Sequence, residues 1–291
     1  MKLQELLRQT EQRLAAARLH YGHGTVNPRD EAAYLVLRGL GLPFDYDLKN
    51  EVTKRQRNRV ESLLRKRIRD RIPVAYLLNE AWLGGLSFYV DRRVIVPRSH
   101  IVELLGQRLR PWLRRPPKRI LDLCTGSGCL AVLAAKIFPG AAVDATDISS
   151  SALAVAATNV KKFKLKHRVR LVRSDLFSSL QNLRYDLIVT NPPYVTTRSL
   201  RRLPPEYRYE PEIALGGGKD GLEFVSPILE GAAAHLNPGG VLACEVGANQ
   251  RAVERAYPGV PLVWPKPEVL ILKASRKAVS SRTQPRPARG T

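Results

Sequence analysis

Over residues 1–75, apolar positions recur at helical spacing. Leu3, Leu7, Thr10, Leu14 and Ala17 fall three or four apart, which gathers them on one mostly apolar helix face. The stretch TVNPRDEAAYLVL brings its own start signal. Asn27 suits an N-cap, Pro28 the first helical position, and Asp30 the first turn, where the backbone dipole favours an anion. A third helix is predicted over about 50–70, with Val60, Leu63, Leu64 and Ile68 inward. Its outward face would carry Lys54, Arg55, Arg57, Arg59, Arg65, Lys66, Arg67, Arg69 and Arg71. The pattern changes at AWLGGLSFYVDRRVIVP (81–97), where alternating apolar residues flank Asp91-Arg92-Arg93 as in a β-hairpin joining two domains.

From residue 119 onward strands and helices alternate. RILDLC (119–124), AVDATD (142–147), VRLVRSD (169–175), YDLIVTN (185–191) and GVLACEV (240–246) read as strands, with helices over 130–138 and 151–163. Such alternation implies a doubly wound α/β sheet with parallel strands at its centre, and ligands then sit beyond the carboxyl ends of the strands. In VWPKPEVLILKA (263–274), Pro265 and Pro267 shorten any strand and no glycine turn separates the last two, so the final hairpin is expected to be clipped. Residues 275–291 are rich in Ser, Pro and Arg, lack an acidic residue and lack apolar periodicity, the signature of a disordered basic tail. Four segments result: a helical domain (1–78), a hairpin linker (79–100), the α/β domain (101–274) and the tail.

Charge adds one thing to this outline. Lys and Arg total 48 against 26 Asp and Glu, a net +22, which suggests attraction to a polyanion, most often nucleic acid. The cysteines, Cys124, Cys129 and Cys244, are odd in number and form no CxxC pair, so neither a disulfide framework nor a structural metal is expected. The amphipathic first twenty residues do not read as a secretory signal, and no uncharged run reaches the ~20 residues of a membrane helix. The expected setting is therefore soluble, reducing and cytoplasmic.

The strand ends carry the chemistry. The first ends in Asp122-Leu123-Cys124-Thr125-Gly126-Ser127-Gly128, a glycine turn that lets backbone approach a ligand. The second ends at Asp147-Ile148, placing a carboxylate where ribose hydroxyls could donate; capping the next helix is its alternative task, although Ser149 and Ser150 stand ready for that. The third ends at Asp175-Leu176-Phe177, an acceptor for an adenine amino group and an apolar slot. With no GxxxxGK[ST], the site suits a nucleoside rather than a triphosphate. The fourth ends in TNPPYV, Thr190 to Val195.

Together DLCTGSG, ATDIS, SDLF and VTNPPYV resemble the class I, Rossmann-like methyltransferases that use S-adenosylmethionine. NPPY (191–194) narrows the resemblance to enzymes that methylate a nitrogen attached to an sp² carbon, either a nucleobase amino group or a protein glutamine. The helical N-terminal domain, the hairpin NEAWLGGLSFYVDRRVIVPRS (79–99), EPEIALGGGKDGLEF (210–224) and CEVG (244–247) resemble the protein glutamine methyltransferases. Release-factor enzymes usually follow VPR with Pro-Glu-Thr-Glu. Ser99-His100-Ile101-Val102 here looks like the ribosomal branch, whose substrate is a glutamine of the third large-subunit ribosomal protein. Cys124 replaces a glycine of the release-factor type, and Leu176 an aromatic residue of some relatives.

The resemblance implies cofactor contacts from Cys124, Thr125, Gly126, Ser127, Gly128, Asp147, Ile148, Asp175, Leu176 and Asn191, and substrate contacts from Asn191, Pro192, Pro193 and Tyr194. An amide nitrogen is a poor nucleophile because its lone pair is delocalised into the carbonyl. Asn191 and the Pro192 carbonyl could each accept one of its hydrogens, and the Tyr194 ring could pack on its plane, so these three are the catalytic candidates. The implied partner is a ribosomal protein, free or on an assembling large subunit, with rRNA contact through the basic surface. Glu206, Glu210, Glu212, Asp220 and Glu223 could form an acidic patch near NPPY that would receive a basic protein. Release factors as substrate, a nucleic-acid amino group as substrate, and a non-catalytic RNA-binding assembly factor remain alternatives at this stage.

Overall fold

The structure is a computed structural model and describes residues 1–274; the tail expected at 275–291 lies outside the described residues. Two compact units divide the chain. The first comprises Met1–Arg98 together with Leu203–Pro211, and the second the other described residues.

In the first unit, helix α1 (Leu3–Ala16) buries Leu3, Leu6, Thr10 and Leu14, and Leu7 and Ala17 pack half-buried against the same cluster, so Leu6 widens the expected stripe. Helix α2 (Pro28–Ala33) starts as its sequence signals demand: Asn27 accepts from the Asp30 backbone N–H at 2.8 Å and Pro28 occupies the first turn. It runs on through a π-helical turn over Tyr34–Arg38. Helix α3 (Lys54–Asp70) begins with a reciprocal capping box between Thr53 and Gln56.

The expectation that α3 turns all its arginines outward is wrong at Arg67. That side chain is 1% exposed, on the same face as Val60 and Leu64. It bonds Glu31 at 2.6 Å and the His20 carbonyl at 2.9 Å, and Glu206 lies 3.5 Å away. Arg71 reaches Glu206 at 2.9 Å, and Arg98 grips Glu210 with bonds of 2.6 and 2.7 Å. A buried charge survives only when paired and hydrogen-bonded, and here Glu31 and the 203–211 segment together supply the partners. Burial alone would raise the Glu210 carboxyl, but Arg98 and His23 hold it down at about 2. The acidic patch expected at the surface is therefore not formed as such. Glu206 and Glu210 are drawn inside by arginines, leaving Glu212, Asp220 and Glu223 exposed.

After the short helix α4 (Val74–Leu78), strands β1 (Ala81–Leu83) and β2 (Leu86–Phe88) form the hairpin. Its turn is Gly84-Gly85, both at positive φ, with Leu83 opposite Leu86; a two-residue turn between right-twisting strands requires that geometry. The turn was expected at Asp91–Arg93. That stretch is a turn, closed by the Val94 N–H donating to the Asp91 carbonyl at 3.1 Å and braced by the Asp91 carboxylate, which accepts from the Arg93 backbone at 3.0 Å and from its guanidinium, but it does not join the paired strands.

The second unit opens with α5 (Ile101–Gly106) and proceeds through β3 (Arg119–Leu123), α6 (Cys129–Ile137), β4 (Ala142–Asp147), α7 (Ser150–Lys162), β5 (Val169–Arg173), β6 (Tyr185–Thr190), α8 (Thr197–Leu200), α9 (Val225–His235), β7 (Leu236–Glu245), α10 (Gln250–Ala256), β8 (Val263–Lys266) and β9 (Val269–Lys273). The sheet order is β5-β4-β3-β6-β7-β9-β8, with the first five strands parallel to one another and β9 antiparallel to β7. Central strands read as near-continuous apolar runs because both faces are covered: Ile120, Leu121, Leu187, Ile188, Val241 and Leu242 are all fully buried. Helix α9 adds Val225, Ile228 and Leu229 to the same apolar cluster as Leu121, Ile188 and Leu242.

The clipped C-terminal hairpin does not materialise. Strands β8 and β9 pair antiparallel and complete seven strands. Pro265 is tolerated because β8 is the edge strand, where a missing ladder donor costs little, and Pro267 lies in the turn.

Candidate active site

Chain order runs from β3 outward through β4 and β5, then returns to the other side of β3 as β6. The β3/β6 boundary is therefore the topological switch point, where open α/β sheets bind ligands. Register fixes what meets there. Leu123 is level with Thr146 on β4 and with Thr190 on β6, and Thr190 is level with Cys244 on β7. One residue further along four adjacent strands come Asp147, Cys124, Asn191 and Glu245. Strands lie ~4.8 Å apart, so the glycine turn and the NPPY loop leave the sheet side by side.

The turn after β3 is shaped by its backbone. Cys124, Gly126 and Gly128 all have positive φ. A Cβ at Gly126 would meet nothing within 4 Å, so open space stands over the turn. The Asp147 carboxylate holds the rim, accepting from the Gly126 and Ser149 backbone N–H groups at 2.9 Å each. Ser149 itself caps α7, accepting from Ala152, which relieves Asp147 of that task. Burial pushes the Asp147 carboxyl up against these two hydrogen bonds.

Behind the turn, Asp122 is fully buried. Its Oδ2 accepts from Thr125 Oγ1 at 2.5 Å and from the Ala131 N–H at 2.9 Å, while Oδ1 has no partner. Burial raises its carboxyl to about 7. Thr125 and Ser127 are buried, at 5% and 4% exposure; Thr125 braces the turn through its hydroxyl, and the Ser127 carbonyl accepts from Asn159 Nδ2 at 2.8 Å. Ile148, 46% exposed, leaves an apolar side chain beside Asp147, and Asp175 stands exposed two residues past β5. The Phe177 ring stacks on His235 at 4.4 Å and lies against Gly231, and Leu176 and Phe177 are both half-buried against the core cluster. Burial also pushes the Cys124 and Cys129 thiols up, the latter to about 12. Among the described residues no group of His, Cys, Asp and Glu could hold a metal ion.

NPPY is a braced loop. Pro192 and Pro193 are buried, while Asn191 and Tyr194 are half-buried. Asn249 Nδ2 donates to the Tyr194 carbonyl at 2.7 Å. Val195 exchanges backbone bonds with Leu215 (2.9 Å) and Gly217 (2.8 Å). A Cβ at Gly217 would stand 2.6 Å from Tyr194 Cα, and one at Gly247 would stand 2.5 Å from the Tyr194 ring. Only glycine permits either approach, so the LGGGKDG and CEVG segments form the cradle of the loop.

Glu245 ends β7 at 3% exposure. Its Oε2 accepts from Ser99 Oγ at 2.6 Å and from the His100 N–H at 3.0 Å; its Oε1 accepts from the Tyr194 hydroxyl at 3.2 Å. Burial raises its carboxyl against these bonds. Sequence reading did not single out Glu245. The signal was present in CEVG, a carboxylate in an otherwise apolar strand end. Ser99 donates through a hydroxyl that the proline of Pro-Glu-Thr-Glu would lack.

A seven-stranded sheet of this order, with a glycine turn at its switch point, is the fold of a methyltransferase. The family model described as "Methyltransferase small domain" matches residues 103–202. A methyltransferase of known structure from Pyrococcus furiosus shares the fold, at 24% identity and a TM-score of 0.50, covering 66% of this chain and 91% of that one. Nearer in sequence are the ribosomal protein uL3 glutamine methyltransferases of Bordetella pertussis, 51% identical over 267 residues (90% of each chain), and Neisseria meningitidis serogroup B, 48% identical over 267 residues (90% of this chain, 88% of that one). The chain belongs to the family of ribosomal protein uL3 glutamine methyltransferases.

Proposed function

We propose that the enzyme transfers a methyl group from S-adenosylmethionine to the side-chain amide nitrogen of a glutamine in ribosomal protein uL3, in the cytoplasm. The observation that carries this reading is the juxtaposition of the braced Asn191–Tyr194 loop with the Asp122–Asp147 turn on adjacent strands. Relatives named for that substrate match over 90% of the chain.

The turn suits a cationic nucleoside. It offers open space over Gly126, the carboxylates of Asp147 and Asp175, an unpartnered buried oxygen on Asp122, and no lysine. Asp147 would hold the ribose hydroxyls, Ile148 and Leu176 would flank the base, and Asp175 would accept from its amino group. When bound, S-adenosylmethionine supplies a methyl group already activated by its sulfonium charge, so the protein's task is position and electrostatics.

Asn191 Oδ1 and the Pro192 carbonyl accept the two amide hydrogens and fix the nitrogen. The Tyr194 ring covers the plane of the amide, and Glu245 fixes the tilt of that ring through the phenol. Two prolines stiffen the loop so that the Pro192 carbonyl does not turn away. The nitrogen gains the methyl and sheds one proton to water, and no general base is required. The helical first unit is the natural recognition surface for the protein substrate.

Asn191→Ala tests the reading. Turnover on uL3 falls by at least about a hundredfold, as when one preorganised polar contact of a transition state is removed, while cofactor affinity measured by calorimetry changes far less. Near-normal turnover would sink the assignment.

A further inference from the structure

Four residues beyond Tyr194 the character of the surface changes. Thr197, Arg198, Arg201, Arg202 and Lys219 line an open concavity of about 420 Å³ in the second unit. All five are exposed. Among the described residues none of the four cations has a carboxylate within 4 Å, whereas Arg67, Arg71 and Arg98 all do. Two exposed carboxylates follow Lys219 closely in sequence, and neither lies within 4 Å of any of the four cations. Asp220 accepts from the Leu222 N–H at 3.0 Å, and Glu223 lies against Gly218. Neither lines the concavity.

The pocket is fastened to the acceptor loop. The Thr197 N–H donates to the Gly218 carbonyl at 2.8 Å, directly after the bonds that join Val195 to Leu215 and Gly217. At ~3.5 Å per extended residue, Arg198 lies within ~14 Å of Tyr194. An anion held there thus lies close to the NPPY loop.

We propose that Arg198, Arg201, Arg202 and Lys219 form a binding site for the phosphate backbone of RNA that borders the acceptor glutamine. The inference rests on the reading of the substrate as a ribosomal protein and adds the state in which that protein is met. Guanidinium groups match phosphate in a bidentate fashion, and four uncompensated cations in one concavity suit successive phosphates. A basic ribosomal protein would be repelled by this pocket, whereas the same protein seated on rRNA presents phosphates to it.

The test is Arg198→Glu/Arg201→Glu, both exposed and outside the catalytic loop. Binding of a fluorescein-labelled large-subunit rRNA fragment is titrated against salt, and methyl transfer is measured on free uL3 and on uL3 bound to that fragment. The proposal expects RNA affinity to fall at least tenfold, with the salt slope shallower by about 1.5 as two phosphate contacts are lost. It further expects transfer to the complex to fall at least tenfold, and transfer to free uL3 to stay within twofold. RNA affinity unchanged within twofold would overturn it. So would an equal loss on both substrates, which would assign the arginines to protein contact. Should neither uL3 form be methylated by the unaltered enzyme, the functional reading fails, and the RNA titration still decides the pocket.

Discussion

Glu245 and Tyr194 allow the proposed positioning of the acceptor amide to be measured separately from the integrity of the fold. Glu245 Oε1 receives the Tyr194 phenol at 3.2 Å, beyond the usual range for an O–H···O bond, so this contact belongs at the weak end, about 1 kcal/mol or roughly fivefold in rate. Oε2 carries the heavier structural duty, holding Ser99 at 2.6 Å and the His100 backbone at 3.0 Å. In Glu245→Gln the amide oxygen keeps Ser99 and His100, while the new NH₂ donates to the phenol oxygen. Turnover then stays within about threefold and the fold holds, relieved of a buried charge. In Glu245→Ala three donors lose their acceptor at once, at about 1–3 kcal/mol for each one left buried. A loss of about 2–5 kcal/mol lowers the melting temperature by roughly 5–15 °C. Tyr194→Phe removes only the phenol and should cost about fivefold in kcat with the melting temperature unchanged. Steady-state kinetics on uL3 and thermal melting of the four proteins read all of this. If Tyr194→Phe retains full kcat, the ring is not tilted by Glu245. If Glu245→Gln melts as low as Glu245→Ala, charge rather than acceptor geometry holds the strand end.

Two further predictions concern the cofactor turn. Asp147→Ala removes the acceptor of the Gly126 and Ser149 N–H groups together with the proposed ribose acceptor, and cofactor affinity by calorimetry should weaken about tenfold or more; unchanged affinity removes Asp147 from the site. Asp122, raised to about 7 from 3.8, contributes stability that is fully present below pH 3.8 and lost as pH rises through 7. Its share should make the protein about 2–3 kcal/mol less stable at pH 8 than at pH 5 in urea unfolding, and Asp122→Asn should flatten that part of the profile. An identical pH dependence in variant and parent would show that the buried carboxyl does not titrate there.

The α/β half of the fold was legible because its signals are local. Apolar runs, glycine turns and a serine cap give β3 to β6, α6 and α7 within two residues, and the strand-end positions of Asp147 and Asn191 follow from them; β7 starts four residues before the expected 240, and α9 went unpredicted. What stayed hidden depends on partners distant in sequence. Arg67 looks like one more outward cation until Glu31 and Glu206 are seen to meet it, and no periodicity records a carboxylate 139 residues away. Glu206 and Glu210 read as surface acid for the same reason. The hairpin turn was misplaced because Asp91-Arg92-Arg93 is polar, whereas the positive φ that a two-residue turn demands is supplied by Gly84-Gly85. Proline argued against the last hairpin because sequence alone does not say which strand lies at the edge. In the site, the NPPY residues were readable as a motif, but the glycine cradle and Glu245 become meaningful only once β7 is placed beside β6.

The pairing of Arg67, Arg71 and Arg98 with Glu206 and Glu210 also sets a timetable for synthesis. Residues 1–98 leave the ribosome with Glu31 already available to Arg67, but Glu206 and Glu210, the carboxylates that meet Arg71 and Arg98, follow only after roughly a hundred more residues, about 5–20 s later at ordinary rates of elongation. Throughout that interval the nascent first unit lacks the two carboxylates that its finished interior buries against Arg67, Arg71 and Arg98. The segment that closes it arrives after β3 to β6 and the NPPY loop have already emerged. The protein thus cannot complete its N-terminal part ahead of its active-site strands, and a fragment ending at Arg98 should fail to fold as it does in the whole chain.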